Sequence, residues 1–271
     1  MNGERATSLP LPDRGLDFGD GLFETLLIDR GQALFSDLHF ARLARGLAVL
    51  GFTDCLDDAK AQLAQAETHA AGQGWPWAAL RLTVTRGSAP RGYAPPVNCQ
   101  PRIVVTLSPL ERDCSALLSP ARLVACSTHV SIQAQLAGLK HLNRLEQVLA
   151  ATEVRQQGAD EGLMCDANGQ VIAVTAGNLF IVSGGQLLTP PLQHSGIAGT
   201  RRQKILDDWA PAIGLAVNEQ PLRPADIEQA QEVFYSNSLV GLRPVAQFSN
   251  TRWTNHATCE SLFAVYRSEA R

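Results

Sequence analysis

The feature of this sequence that most constrains its fold is a polar segment, residues 108–119, with a proline near each end. The segment has the period of neither a helix nor a strand, and it joins two strand-like segments, so it is typical of a linker. The chain has 271 residues, enough for one large domain or two modest ones. We therefore predict domains over residues 1–108 and 120–271, with an interdomain linker over residues 109–119.

The pattern before the linker predicts a small α+β domain. A hairpin opens it, its turn formed by Asp29, Arg30 and Gly31, and Asp37 is expected to cap the first long helix. The predicted elements are strands over 22–28 and 32–35, helices after residue 37 and over 57–69, and strands over 79–85 and 102–107, the last two separated by a Gly/Pro-rich insert over 86–101.

The pattern after the linker predicts a larger domain that mixes strands with helices, so the fold class is α/β (α+β) with two domains. A long helix follows the first strand, and a second helix starts near Thr200. The predicted elements are strands over 122–127, 161–165, 171–174, 179–182, 216–219 and 233–235, and helices over 142–157, from residue 200, and after residue 255.

Composition excludes several classes of function. The 23 basic and 26 acidic residues give a net charge of −3 without a basic run, which argues against nucleic-acid binding. No apolar run reaches the length of a membrane-spanning helix, so no membrane partner is expected. The six cysteines have no metal-ligand spacing and no signal-like segment precedes them, which predicts reduced thiols, no metal and a cytoplasmic location.

Lysine is scarce: of the 23 basic residues only Lys60, Lys140 and Lys204 are lysines. Lys60 and Lys204 lie in polar helical contexts and are expected to face solvent. Lys140 follows Gly138 at the start of an amphipathic helix, where an amine with a lowered pKa can form a Schiff base with an aldehyde. The alternative for Lys140 is a surface lysine at a helix start.

Two further features fit the binding of a small anion. The segment 196–202 places glycines before a helix, so its backbone N–H groups can hold a phosphate monoester, or else the glycines form only a helix cap or tight turn. Lacking a P-loop lysine and spacing, this segment does not predict a nucleotide. Arg42, on the first long helix, can bind phosphate in bidentate fashion, or can simply be a solvated helical arginine.

Five segments carry chemistry-bearing residues along the chain: residues 19–25, 39–43, 86–93, 138–147 and 178–180. In this order they resemble the fold-type-IV pyridoxal-phosphate enzymes, a family that includes branched-chain and D-amino-acid transaminases. The resemblance covers nearly the whole chain, and the segment with Lys140 is its most specific part. Together with the insert, that segment is most similar to the lyase branch of the family, which converts 4-amino-4-deoxychorismate into 4-aminobenzoate and pyruvate for folate synthesis.

The resemblance implies the cofactor pyridoxal 5'-phosphate, a homodimer, and a C-terminal domain with a mixed, β-barrel-like core flanked by helices. It implies that Lys140 is the Schiff-base lysine and that Arg42 binds the cofactor phosphate. The remaining implied cofactor-binding residues are Gly199, Thr200 and Arg201 at the helix start and Asn237.

The resemblance also places four residues along the substrate pocket: Phe23, Thr25, Arg91 and Tyr93. Arg91 is the candidate for a substrate carboxylate. Read from the sequence alone, Phe23 and Thr25 can just as well be ordinary strand residues. Arg91 and Tyr93 can just as well belong to a surface loop.

One position departs from the family. Ala173 stands where the family has a glutamate that keeps the pyridine nitrogen protonated, and the loss of that proton makes the cofactor a weaker electron sink. An elimination that forms an aromatic ring tolerates this loss better than transamination does, which favours a lyase. A transaminase, a non-catalytic homologue, and a substitute contact from Thr175 or water remain the alternatives.

Overall fold

The computed structural model describes residues 1–270 and divides into two compact units. Unit 1 comprises Met1–Asp113 and Leu139–Asn143, and unit 2 comprises Cys114–Gly138 and the chain from Arg144 onward. The prediction placed residues 139–143 in the second domain, whereas their contacts place them in unit 1.

Unit 1 is a four-stranded antiparallel sheet, in the order β2-β1-β3-β4, packed against helices. β1 is longer than the predicted strand at both ends, because Gly21–Asp29 pairs along its whole length with β3. The elements are α1 (Arg14–Phe18), β1 (Gly21–Asp29), β2 (Gln32–Ala33), α2 (Ser36–Leu50), α3 (Leu56–Gly72), β3 (Trp77–Thr85) and β4 (Arg102–Pro109).

The two faces of this sheet differ in character because side chains alternate along a strand. Leu22 and Glu24 of β1 face α2, where the Leu22 side chain leaves no room for a Cβ at Gly46. Thr25 lies on the other face, opposite the exposed Arg81 of β3. One face therefore forms the core and the other can carry a site.

Residues 139–143 join unit 1 by strand-like pairing with the start of β1. The Phe23 N–H donates to the Lys140 carbonyl at 2.9 Å, and the Leu142 N–H donates to the Gly21 carbonyl at 3.1 Å. These bonds satisfy backbone groups at the start of β1 and fix the position of the Lys140 main chain.

Unit 2 is built on a nine-stranded mixed sheet that curls into a half-barrel, which confirms the predicted fold class. Its core contains stacked rings of Phe180 and Phe234, whose centroids lie 5.1 Å apart. The path of the sheet is β10-β9-β8-β11-β12-β5-β6-β7, with β13 paired to β12. The strands are β5 (Ala121–Ala125), β6 (Glu161–Cys165), β7 (Val171–Val174), β8 (Asn178–Ser183), β9 (Gln186–Thr189), β10 (Val217–Glu219), β11 (Glu232–Asn237), β12 (Gly241–Phe248) and β13 (Thr251–Arg252).

The helices of unit 2 are α4 (Leu145–Gln156), α5 (Thr200–Lys204), α6 (Ala210–Ala212), α7 (Pro224–Glu228) and α8 (Ala257–Glu269). A π-helical turn, Ile205–Trp209, connects α5 to α6 without a break, so one helix runs for thirteen residues from Thr200. Within residues 1–270, none of the helices combines the length and the apolar character that crossing a membrane requires.

One predicted helix start is wrong. Asp37 does not cap α2, because Phe35 takes the N-cap position in a left-handed conformation with φ of 57°, and Asp37 lies in the first turn. From the first turn, the carboxylate of Asp37 still interacts favourably with the positive end of the helix dipole.

Candidate functional site

Lys140 lies beside the aromatic ring of Phe23 in unit 1. Its Nζ is 4.4 Å from the ring centroid, and its side chain is half-buried. Thr25, two residues after Phe23, lies on the same face of β1 as Phe23. The structure therefore brings together three predicted site residues, Phe23, Thr25 and Lys140.

Arg81 is a member of this cluster that the sequence analysis missed. Its Cζ lies 3.8 Å from the centroid of the Phe23 ring, and its Cα pairs with that of Thr25 across β1 and β3. Arg81 is exposed as a whole, but partial burial of its side chain lowers its pKa from the usual value. Two cationic side chains, Lys140 and Arg81, thus contact one ring, and this face of unit 1 attracts anionic groups.

Arg42 lies on the opposite, core-facing side of β1, in an ion pair with Glu24. Arg42 Nε donates to Glu24 Oε1 at 2.8 Å, Arg42 Nη2 donates to Glu24 Oε2, and His39 Nδ1 lies 2.6 Å from the same Oε2. All three side chains are almost fully buried. Glu24 thereby fixes the Nε and Nη2 edge of the Arg42 guanidinium.

The Glu24 carboxyl is ionised in this cluster. Burial alone would raise its pKa, but the charge of Arg42 and the hydrogen bonds from Arg42 and His39 outweigh burial and lower the pKa to about 2. A buried charge of this kind requires its partner, because an unpaired buried charge is strongly unfavourable.

Arg91 and Tyr93 lie in the exposed loop between β3 and β4. Tyr93 is 86% exposed, and its ring packs on Phe18 with a centroid distance of 5.3 Å. The carbonyls of Gly92 and Tyr93 accept hydrogen bonds from Arg14. Backbone contacts thus hold the tip of this loop, and the Arg91 side chain is exposed.

The predicted anion cradle of unit 2 starts at Gly199, the N-cap of α5. A Cβ at Gly199 would lie 2.1 Å from Asn178 Oδ1, so only glycine fits this approach. Asn178 Nδ2 donates to the Ile197 carbonyl at 2.9 Å and holds the preceding turn. Because Gly199 offers no side-chain cap, an anion can accept hydrogen bonds from the first turn of the helix.

Arg201 connects this helix start to the loop after β11. Its side chain is fully buried, Nη2 donates to the Ser238 carbonyl at 3.2 Å, and Nη1 donates to Thr200 Oγ1 at 3.4 Å. The buried guanidinium therefore adds positive charge close to the helix start.

Asn237 braces two loops with its side chain. Its Nδ2 donates to the Ala176 carbonyl at 3.1 Å, and its Oδ1 accepts hydrogen bonds from the N–H groups of Leu239 and Val240. The hydroxyl of the neighbouring Ser236 is buried and has no hydrogen-bond partner. A buried polar atom without a partner indicates a ligand or water at this position.

Ala173 packs against an apolar cluster that is formed by Val130, Ala150, Met164 and Ile172, with Cys126 beside them. Thr175 Oγ1 donates to the Gly162 carbonyl at 3.3 Å and accepts from its N–H at 3.1 Å. The Thr175 hydroxyl is thus engaged with a strand.

A cavity of about 380 Å³ lies next to Thr175, between α4 and the start of β6. Glu161 lines this cavity, and burial raises its pKa although hydrogen bonds, the largest from Thr175, act against burial. Arg144, the N-cap residue of α4, and Gln147 of that helix also line it.

Comparisons with known proteins agree with this description. Residues 21–248 match a family model described as amino-transferase class IV. The chain is 34% identical to an aminodeoxychorismate lyase of Vibrio harveyi, over 92% of this chain and 90% of that protein. It is 29% identical to a putative branched-chain-amino-acid aminotransferase of Methanocaldococcus jannaschii, over 89% of this chain and 83% of that protein.

Solved structures show the same likeness. The chain superposes on a 4-amino-4-deoxychorismate lyase from Pseudomonas aeruginosa with a TM-score of 0.86 and 37% identity, covering 98% of this chain and 97% of that one.

Proposed function

Because this chain belongs to the class IV amino-transferase family, we propose that it is a pyridoxal-phosphate-dependent lyase that converts 4-amino-4-deoxychorismate into 4-aminobenzoate and pyruvate. The observation that carries the proposal is the cluster of Lys140, Phe23, Thr25 and Arg81 on one face of unit 1. Two relatives that are more than 30% identical bear the name of this lyase, which supports the choice of reaction.

The residues of the chain fit the cofactor. The start of α5, at Gly199 and Thr200, suits a phosphate dianion, and the unpartnered Ser236 hydroxyl points to a ligand nearby. Arg42, oriented by its hydrogen bonds to Glu24, is proposed to bind the cofactor phosphate, as the resemblance to the family implies. Lys140 would hold the cofactor until the substrate amine displaces it; joined to that amine, the cofactor would supply an electron sink for the carbon that bears it and leave the Lys140 amine to act as a base.

Lys140 carries the proton transfers in this proposal. Its amine removes the proton from the amine-bearing ring carbon, the carbon–oxygen bond to the enolpyruvyl group breaks, and the electron pair leaves with that oxygen. The protonated Lys140 then acts as the general acid for the departing oxygen. The ring becomes aromatic as the bond breaks, which provides driving force without a strong electron sink, in keeping with Ala173 and its apolar neighbours.

Arg81 is proposed to orient the substrate. The substrate carries two carboxylates, and the Arg81 guanidinium lies on the same ring as the Lys140 amine. A planar guanidinium binds a carboxylate with two parallel hydrogen bonds, so Arg81 can fix the ring of the substrate above Phe23. Arg91, on the exposed loop, is the proposed ligand of the second carboxylate.

The test separates the lyase from an aminotransferase. Purified protein with pyridoxal phosphate is incubated with 4-amino-4-deoxychorismate, and 4-aminobenzoate is measured; a parallel reaction measures amino transfer from branched-chain and D-amino acids to a keto acid. We expect 4-aminobenzoate and little amino transfer. Amino transfer without 4-aminobenzoate would show a transaminase. If neither product forms and no cofactor is bound to a lysine, the protein is a non-catalytic homologue.

We also propose a homodimer in the cytoplasm. Leu145, Val148 and Leu149 form an exposed apolar stripe at helical spacing on α4, which supports association with a second copy. The six cysteines are free thiols, as in a reducing compartment. Sedimentation equilibrium with Leu149→Glu as the variant tests the dimer; a monomeric wild type would contradict it.

A further inference from the structure

The loop over residues 86–101 in unit 1 is held at its base and at its tip. At the base, a Cβ on Gly87 would lie 2.0 Å from the Gln100 carbonyl oxygen, so the two ends of the loop are in close contact. The Arg14 N–H donates to the Gly87 carbonyl at 2.9 Å. The two ends of the loop therefore lie side by side, and Arg91 and Tyr93 lie at its tip.

Asp20 joins two arginines close to this loop. Its Oδ2 accepts hydrogen bonds from Arg14 Nε and from Arg86 Nε, both at 2.7 Å. Burial by itself raises the pKa of Asp20, but the hydrogen bonds and charges of Arg86 and Arg14 lower it below its ordinary value. We call Arg14, Asp20 and Arg86 the Asp20 latch; all three side chains are largely buried.

Arg14 extends the Asp20 latch to the tip of the loop. Its Nη1 donates to the Gly92 carbonyl at 2.9 Å and its Nη2 to the Tyr93 carbonyl at 2.8 Å, while Nε donates to Asp20. The guanidinium also stacks over Phe18, the ring that contacts Tyr93. Three fixed hydrogen-bond directions need a planar guanidinium, which the single ammonium of lysine cannot reproduce.

Arg91 lies directly before the two residues whose carbonyls Arg14 holds. An exposed arginine on a loop pays a large entropic cost when it binds a ligand, unless its backbone is already fixed. Since both carbonyls after Arg91 are bound to a buried side chain, the main chain at Arg91 is pre-organised while its side chain stays available.

We propose that Arg14, oriented by Asp20, is a positioning residue that holds Arg91 and Tyr93 in the conformation that binds the substrate carboxylate. This inference rests on the proposed function for its substrate. Arg14 does not touch the substrate and does not affect the bond-breaking step, so its loss acts on substrate binding.

The experiment compares Arg14→Lys and Arg14→Met with wild type, using Arg45→Met, an exposed arginine of α2, as the matched control. Limited trypsin digestion measures cleavage after Arg91, and steady-state kinetics measures kcat and KM for 4-amino-4-deoxychorismate. We expect faster cleavage after Arg91 and a KM raised about tenfold in both Arg14 variants, with kcat within about twofold of wild type. The control should match wild type in each assay.

Phe18→Ala guards against misfolding of the Arg14 variants, because Phe18 is 37% exposed and its loss removes only ring packing, on Tyr93 and on the Arg14 guanidinium. For Phe18→Ala we expect faster cleavage after Arg91 and a higher KM, each by less than in the Arg14 variants. Unchanged cleavage after Arg91 in the Arg14 variants overturns the proposal, and so does faster cleavage with an unchanged KM. If wild type lacks lyase activity, the proposed function fails, while the digestion still reports whether Arg14 holds the loop.

Discussion

Replacing Glu24 by glutamine removes the counter-charge of a buried arginine and leaves the shape of the side chain almost unchanged. In the protein, the pKa of Glu24 falls from 4.5 to about 2 because the charge and hydrogen bonds of Arg42 and His39 outweigh burial. At about 1.4 kcal/mol per pKa unit, the ionised carboxylate contributes about 3 kcal/mol to the stability of unit 1. This agrees with the ~3–5 kcal/mol that breaking a buried ion pair costs.

The sign of the pH dependence follows from the lowered pKa. The contribution of Glu24 is fully present above pH 4.5 and is lost as the pH falls toward about 2, when the carboxyl takes up a proton in the folded protein. Glu24→Gln lacks this titration. The variant should therefore be less stable than wild type by about 3 kcal/mol at pH 7, and the gap should narrow below pH 4.5.

Amide hydrogen exchange of α2 measures this locally, because His39 and Arg42 belong to that helix and the two units need not unfold together. Exchange is compared at pH 7 and pH 4 and corrected for intrinsic rates, with Glu4→Gln, an exposed glutamate, as the control. A gap between variant and wild type that does not shrink as the pH falls, or no gap at pH 7, would refute the electrostatic reasoning.

Three further variants test the site. Lys140→Ala should abolish 4-aminobenzoate formation and the visible absorbance of lysine-bound cofactor that borohydride removes; persistence of that absorbance would place the Schiff base elsewhere. Arg81→Met should raise KM for the dicarboxylate substrate about tenfold or more, because a hydrogen bond to a charged group is lost, and should leave the cofactor affinity unchanged. An unchanged KM would show that Arg81 does not bind the substrate. Gly199→Ala should weaken cofactor binding about tenfold, measured by equilibrium dialysis, since its Cβ displaces Asn178; wild-type affinity would show that Asn178 does not shape the cradle.

Most of the fold could be predicted from local patterns, and the exceptions have physical causes. β12 was missed because Pro244 interrupts its pattern; the strand accommodates the proline just before an irregularity in its pairing with β5, between Val245 and Gln247. β9 was missed because Gly184 and Gly185 before it and Pro190 and Pro191 after it are typical of turns and loops. In both cases pairing with neighbouring strands overrides a weak local signal.

Site residues could be predicted where neighbouring residues in the sequence identify them. They could not be predicted where the pairing register of two strands brings them to the site. Lys140 is recognisable from its neighbours in the sequence. Arg81 is one of twenty arginines, and only the pairing of β1 with β3 places it on the Phe23 ring. Glu24 reads as an ordinary strand residue until α2 brings Arg42 and His39 to it.

The strand-like pairing of residues 139–143 with β1 has a consequence for dissecting the molecule. Because Lys140 and Leu142 satisfy backbone groups of Phe23 and Gly21, a fragment that stops at the predicted linker leaves the first residues of β1 with an open edge. Exposed strand edges recruit other chains and aggregate. No single cut in the gene can release unit 1 whole, so a soluble version needs residues 139–143 joined to it, for example by a circular permutation or a short flexible tether.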